Sequence, residues 1–163
     1  MTDVVIGVDP GLHGAVAFFW PASSKLIVYD IPLHSLVRNG KTKNEIDRAE
    51  LAAIVESAAI CGKAQAFVEQ VGSMPGQGVS SVFAFGKAYG IILGILASVP
   101  STDVLPQRWK KALGVPAAKD GARARASQLL PAYAAEWKLV KHDGRAEAAL
   151  IALYGARTLG FPV

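Results

Sequence analysis

Residues 4–20 of this 163-residue chain read VVIGVDPGLHGAVAFFW. Two apolar runs, Val4–Asp9 and Ala15–Trp20, flank a short turn that contains a proline and two glycines. Runs of this length on either side of a glycine-rich turn are typical of a β-hairpin. The first strand therefore ends on a carboxylate, Asp9, and the second returns beside it in one sheet.

The rest of the chain alternates between strand and helix patterns. After a third strand at residues 25–31, a polar and basic segment at residues 32–44 has no periodicity, and we interpret it as an exposed loop. Asp47 and Glu50 have the spacing of a capping box, which predicts a helix that ends near Gly62. Further strands are predicted at residues 64–69 and 102–105. Further helices are predicted at residues 79–98, 119–130 and 145–159, and another begins at residue 106.

Three hairpin-linked strands followed by alternating helices and strands predict an α/β fold, with a mixed five-stranded sheet flanked by helices. This arrangement is similar to that of ribonuclease H. No linker divides the chain, so residues 1–163 are interpreted as a single domain.

The positive charge of the chain is unevenly distributed. Residues 1–103 carry 7 basic and 9 acidic side chains, whereas residues 104–163 carry 10 basic and 4 acidic ones. This asymmetry favours a polyanionic partner, nucleic acid first, over a membrane surface, because no basic amphipathic helix opens or closes the chain.

The single cysteine, Cys61, excludes an internal disulfide and a cysteine-built zinc site. The N-terminus has no basic region ahead of an apolar one, so it does not resemble a signal peptide. We therefore expect a cytoplasmic protein.

Residues 79–99 form a long apolar stretch with one charge, Lys87. Three glycines at four-residue spacing, Gly86, Gly90 and Gly94, dilute it, and no interfacial anchors flank it. We interpret it as a buried helix rather than a membrane span, with a flat side that could meet a sheet or another subunit.

Two pairs of carboxylates stand at positions where they can converge. Asp9 and Glu69 each end a predicted strand, and Asp143 and Glu147 lie four residues apart at the start of the last helix. Phosphodiester hydrolysis commonly uses two divalent cations about 3.5–4 Å apart, held by carboxylate oxygens. Simpler interpretations stay open for three of them: Asp9 as a turn residue, Asp143 as a helix N-terminal charge and Glu147 as a solvated residue.

A basic group follows in the C-terminal third. Lys119 and Arg123 are neighbours on a predicted helix and can face phosphate, although a solvated helix face is the simpler alternative. Trp109 is interpreted as a core anchor for its segment.

Five motifs follow one another along the chain: DPG after an apolar strand, EQV at residues 69–71, the lysine pair Lys110 and Lys111, Lys119 before a helix, and AEAALIA at residues 146–152. In this order, they resemble the RuvC family of Holliday-junction resolvases, especially its phage-type members.

The resemblance implies a homodimeric endonuclease dependent on Mg²⁺, or on Mn²⁺ in its place, with two ions in each subunit. It would nick a four-way DNA junction symmetrically and leave 5′ phosphates, without a nucleotide cofactor. By position, the metal ligands are Asp9, Glu69, Asp143 and Glu147. Lys119 would offset the charge of the scissile phosphate, and the DNA backbone would be contacted by Lys110, Lys111, Lys119 and Arg123.

The chain departs from the family pattern at two places. The last two ligands of the bacterial family lie three residues apart, whereas Asp143 and Glu147 are four apart and position 144 is glycine. His142 is therefore an alternative ligand to Asp143. The family also places a bulky residue after the second acid to open the junction, and Met74 is the nearest candidate.

Three rival functions follow from the sequence. The first keeps the fold but cuts flap or branched DNA, or the RNA of a hybrid. The second is an actin-like ATP-binding module, because residues 9–17 resemble that superfamily's first phosphate loop, although 163 residues leave no room for two lobes. The third is a noncatalytic junction-binding scaffold.

Overall fold

The computed structural model describes residues 2–60, 62–72, 76 and 78–163. Seven strands lie at β1 (Val4–Asp9), β2 (Ala15–Trp20), β3 (Lys25–Asp30), β4 (Leu33–Arg38), β5 (Lys41–Ile46), β6 (Ala64–Glu69) and β7 (Ser101–Val104). Five α-helices lie at α1 (Arg48–Ala59), α2 (Val79–Ile95), α3 (Pro106–Leu113), α4 (Gly121–Leu129) and α5 (Asp143–Thr158). Short 3₁₀ helices follow α2 and α4 and precede α5.

A mixed five-stranded sheet in the order β3-β2-β1-β6-β7 forms the centre of the fold. Strands β1, β2 and β3 pair antiparallel, whereas β6 and β7 run parallel to β1. This confirms the predicted α/β fold with helices on both faces of a mixed sheet. Because parallel strands end at the same edge, the sheet places the ends of β1 and β6 together.

Side chains that alternate along the strands pack into two apolar layers, one on each face of the sheet. Val5, Ala17 and Phe67 pack against α5 and the two buried tryptophans, Trp109 and Trp137. Residues of the opposite parity, among them Ile6, Phe18 and Val68, pack against α1 and α2. The period-two alternation of strands therefore decides which helix layer each side chain meets.

The segment at residues 32–44, expected to be a loop, instead forms most of a separate two-stranded sheet, β4–β5. The prediction was wrong because polar residues occupy both faces of this hairpin and hide its period of two. The signal was Asn39-Gly40, which takes positive φ angles of 52° and 71° and so forms the two-residue turn that suits a hairpin.

The apolar helix α2 was predicted to be buried, and in the single chain it is not. By length and composition the stretch Val79–Ser98 is the one helical segment of the described residues that could cross a membrane, and 17% of its apolar window is buried. Val79 and Phe83 are 87% and 74% exposed. One side of α2 packs on the sheet through Ala88 and Ile92, and the opposite side is open.

Candidate active site

The sheet brings the two strand-end carboxylates together as the sequence predicted. Val8 of β1 pairs with Val68 of β6, so the next residues, Asp9 and Glu69, leave the same edge side by side. Both are odd-numbered, like Val5 and Phe67, so their side chains lie on the face of the sheet that packs against α5. The first half of the site is therefore a direct product of parallel pairing.

Helix α5 adds a third carboxylate because it lies almost on the backbone of β1. A Cβ on Gly7 would lie 2.2 Å from the carbonyl oxygen of Ala148 and 2.3 Å from the nitrogen of Ala152. Gly155 of α5 allows a similar close approach to Phe67 of β6, because a Cβ at Gly155 would lie 2.4 Å from the Phe67 ring. This close approach places Glu147 at the end of β1.

The result is a cluster of three partly buried acids, Asp9, Glu69 and Glu147, in which one oxygen of each lies within 4.8 Å of the others. Within the part of the chain that the structure describes, no other group of His, Cys, Asp or Glu meets this criterion. Carboxylates this close repel one another unless cations or protons offset their charge.

Helix α3 supplies two partners to this cluster. Trp109, fully buried as predicted, also donates its indole N–H to Glu69 Oε1 at 2.9 Å. The next residue, Lys110, forms an ion pair with Glu147, with 2.9 Å between Nζ and Oε1. The sequence predicted Lys110 as a contact to the DNA backbone, which stays a prediction, and the structure places it beside the acid cluster through its pair with Glu147.

The charges and the burial of the site shift its pKa values. Burial raises the pKa of Asp9 well above its ordinary value, and the charges of Glu147 and Glu69 raise it further. Burial also raises the pKa of Glu69, against the hydrogen bond from Trp109. Burial lowers the pKa of Lys110, but the hydrogen bond and charge of Glu147 outweigh this and raise it overall.

Asp143 stays outside the cluster, although it lines the same open cleft of about 530 Å³. Its Oδ1 accepts a hydrogen bond from Arg123 Nε at 2.5 Å. Position 144, three residues before Glu147, faces Asp9: a Cβ there would lie 3.0 Å from Asp9 Oδ2. Consecutive helical residues point about 100° apart, so Asp143 is turned away toward α4.

The alternative ligand, His142, also lies outside the cluster, and its buried Nδ1 has no hydrogen-bond partner among the described residues. Met74, the predicted junction-opening residue, falls outside the described part of the chain. The remaining predicted DNA contacts lie on or next to α3 and α4. Lys111 is exposed on α3, Lys119 is exposed in the turn before α4, and Arg123 holds Asp143.

One residue that orients the site carried no signal in the sequence. Arg145, on the first turn of α5, donates to both carboxylate oxygens of Asp30 at 2.6 and 2.7 Å. This contact joins the start of α5 to the end of β3. It could not be predicted, because the two residues are 115 positions apart.

The burial of Asp9 and its repulsion by the neighbouring acids give a stability prediction for Asp9→Asn in metal-free buffer. The folded protein holds the Asp9 proton more tightly than the unfolded chain, so above about pH 4 the folded state binds more protons. Stability therefore falls as the pH rises through the raised pKa of Asp9. The amide removes this loss, and we expect the variant to melt at a higher temperature than the unaltered protein at pH 8.

Thermal melts in EDTA at pH 8 and pH 4 would measure this gain, which should shrink at the lower pH. Mn²⁺ should raise the Tm of the unaltered protein at pH 8 more than that of the variant. A variant that melts below the unaltered protein at pH 8 would contradict the predicted repulsion.

No family model and no curated protein sequence matches the chain. Its similarity to known proteins is seen only when structures are compared. A structure of Thermus thermophilus RuvC in complex with a Holliday junction substrate superposes with a TM-score of 0.57 at 17% identity, covering 97% of both chains. Another T. thermophilus RuvC structure gives 0.52 at 18% identity, covering 95% of this chain and 96% of that one.

The yeast mitochondrial Holliday junction resolvase Ydc2 superposes with a TM-score of 0.55 at 13% identity, covering 96% of this chain and 78% of that one. The chain therefore has a RuvC-like fold over almost its whole length, which confirms the fold that the sequence motifs implied.

Proposed function

We propose that this protein is a metal-dependent endonuclease that resolves four-way DNA junctions by paired symmetric nicks. The observation that carries the proposal is the meeting of Asp9, Glu69 and Glu147 at one edge of a RuvC-like sheet. The similar structures are those of junction resolvases, one of them in complex with a Holliday junction substrate.

The cluster suits hard divalent cations such as Mg²⁺ or Mn²⁺. Its donors are carboxylate oxygens within 4.8 Å of one another, and burial together with the charges of Glu147 and Glu69 raises the pKa of Asp9. Asp9, Glu69 and Glu147 would hold the ions. Asp143 stays a predicted fourth ligand, which would have to leave Arg123 to join them.

The protein's own residues fix this site in place. Trp109 orients Glu69, and the closely packed α5 orients Glu147 toward Asp9. Lys110 remains protonated beside the acids, where its charge can offset that of a phosphate. When bound, the ions would activate water and stabilise the departing 3′ oxygen, so the products should carry 5′ phosphates.

The exposed face of α2 supports a homodimer. Val79, Phe83, Gly86, Gly90 and Gly94 recur at helical spacing, and a Cβ on any of the three glycines would meet no atom of the described residues within 4 Å. A lipid bilayer is the alternative cover for this face of α2. It conflicts with the proposed function, because Ser81, Ala84 and Phe85 of α2 line the cleft that DNA must enter. A second copy of the chain is therefore the expected cover.

Phe83→Glu should convert the dimer to a monomer at micromolar concentration, because it places a charge in an apolar interface. Sedimentation velocity measures this, with Ile60→Glu as the matched control, since Ile60 is also an exposed apolar residue but lies just after α1. A dimer that survives Phe83→Glu, or an unaltered protein that is monomeric, would contradict this interface.

The nuclease proposal is tested with a synthetic mobile four-way junction labelled on each strand in turn. Symmetric nicks that require Mg²⁺ or Mn²⁺ are expected. Matched flap and RNA–DNA hybrid substrates separate the predicted activity from its relatives, and cleavage of those substrates with none of the junction would overturn junction resolution. A cytoplasmic location in a bacterium or a phage-infected cell stays a prediction.

A further inference from the structure

The hairpin β4–β5 leaves the central sheet at the same edge as the carboxylates. Asp9 pairs with Ala15, and Ala15 pairs with Asp30, the last residue of β3. The hairpin begins three residues later, at Leu33. It therefore starts at the edge of the central sheet that carries the acid cluster.

The base of the hairpin is anchored to the body of the protein. Ile46 is buried in the core, and the backbone N–H of Asp47 donates to the carbonyl of Pro32 at 2.8 Å. Glu45 forms an ion pair with Lys87 of α2, with 2.9 Å between the charged atoms. These contacts hold the hairpin in a fixed direction relative to α2.

The outer part of the hairpin is exposed and basic. Residues 33–46 include three basic residues and one acid, although residues 1–103 as a whole carry more acids than bases. Lys41 and Lys43 are exposed, and they share a face with Glu45 because strand side chains alternate. Since Glu45 contacts α2, both lysines belong to the face nearer α2 and not to its reverse.

A groove of about 240 Å³ runs between the hairpin and α2. Lys43 and Glu45 line one side and Lys87 lines the other, and Phe83, a residue of the proposed dimer face, lies where the groove borders that face. Leu12, Ala84 and Ala88 line both this groove and the catalytic cleft, so the two are continuous. A strand bound at the acid cluster can therefore continue past α2 toward the lysines.

We propose that the β4–β5 hairpin is a second DNA contact, which holds the phosphate backbone of a junction arm as that arm leaves the catalytic cleft. The inference rests on the proposed nuclease function and adds a binding surface to it. Lysine ammonium groups contact phosphates without reading bases, so the hairpin would add affinity and salt dependence, not sequence preference.

The test compares two double variants that remove the same charge. Lys41→Ala with Lys43→Ala removes two lysines from the hairpin. Lys25→Ala with Lys63→Ala removes two lysines from the opposite edge of the central sheet, where β3 and β6 begin. Binding to a four-way junction is measured without metal over a range of salt concentrations, with thermal melts to confirm folding.

The hairpin double should weaken binding by about tenfold or more and reduce the slope of log K against log salt by about two, one for each lost phosphate contact. The control double should match the unaltered protein. Equal affinity and slope for both doubles would overturn the hairpin contact alone, whereas failure of the unaltered protein to bind the junction would overturn the proposed function as well. Loss of the dimer by the hairpin double in sedimentation velocity would assign the hairpin to the dimer interface and overturn the DNA contact.

Discussion

Asp9→Asn is expected to abolish junction cleavage in Mg²⁺ while junction binding is kept. Asp9 lies at the centre of the acid cluster, with both Glu69 and Glu147 close enough to raise its pKa. Metal stabilisation of the reacting phosphate contributes several kcal/mol, and about 1.4 kcal/mol corresponds to a factor of ten. The single-turnover cleavage rate should therefore fall by about 10³-fold or more.

The measurement uses enzyme in excess over a labelled junction, with binding followed separately by gel shift. Asp47→Asn is the matched control, because Asn caps a helix as well as Asp does and α1 should be unaffected. Because Asp9→Asn is expected to stabilise the metal-free fold, its loss of activity would not arise from unfolding. Full cleavage by this variant would contradict the assignment of Asp9 to the metal site.

Gly7→Ala is expected to give the largest loss of stability. The added methyl group would overlap the backbone of α5 at Ala148 and Ala152, and backbone atoms cannot rotate away as a side chain can. Overpacking of a core costs about 1–3 kcal/mol and occasionally more, and we expect at least the upper end of this range. The site would suffer too, because the same contact brings Glu147 to Asp9.

Urea denaturation monitored by circular dichroism would measure this loss as a lower midpoint. Gly72→Ala is the control, since a Cβ there meets no atom of the described part of the chain within 4 Å, and its stability should change by less than about 0.5 kcal/mol. Equal midpoints for the two variants would show that α5 does not pack on β1 as described.

The elements that a local pattern specifies could be predicted closely. The strands at Val4–Asp9, Ala15–Trp20 and Ala64–Glu69 have the predicted limits, and Asp47 caps α1 through the N–H of Glu50 at 3.1 Å. Each of these depends on residues close together in sequence, such as an apolar run, a turn or a cap.

The wrong predictions concern one helix face and one missed hairpin. Helix α2 was expected to be buried, because apolar residues almost all round a helix normally lie in a core. Among the described residues of the single chain, nothing covers the face of α2 that carries Val79 and Phe83, and a helix's own pattern does not specify which surface will cover it. The hairpin at residues 33–46 was missed because neither of its faces shows a clean apolar alternation.

The sequence by itself determined the strand-ending acids Asp9 and Glu69, because strand alternation and parallel pairing follow from local patterns. Only the tertiary structure decided that Glu147, and not Asp143, joins them, and that Lys110 stands within the cluster. The reason is geometric: a helix directs each residue about 100° from the last, so the depth at which α5 packs on β1 selects the side chain that reaches Asp9. That depth is set by Gly7 and Gly155, which lie far apart in sequence and meet the helix and the sheet from opposite sides.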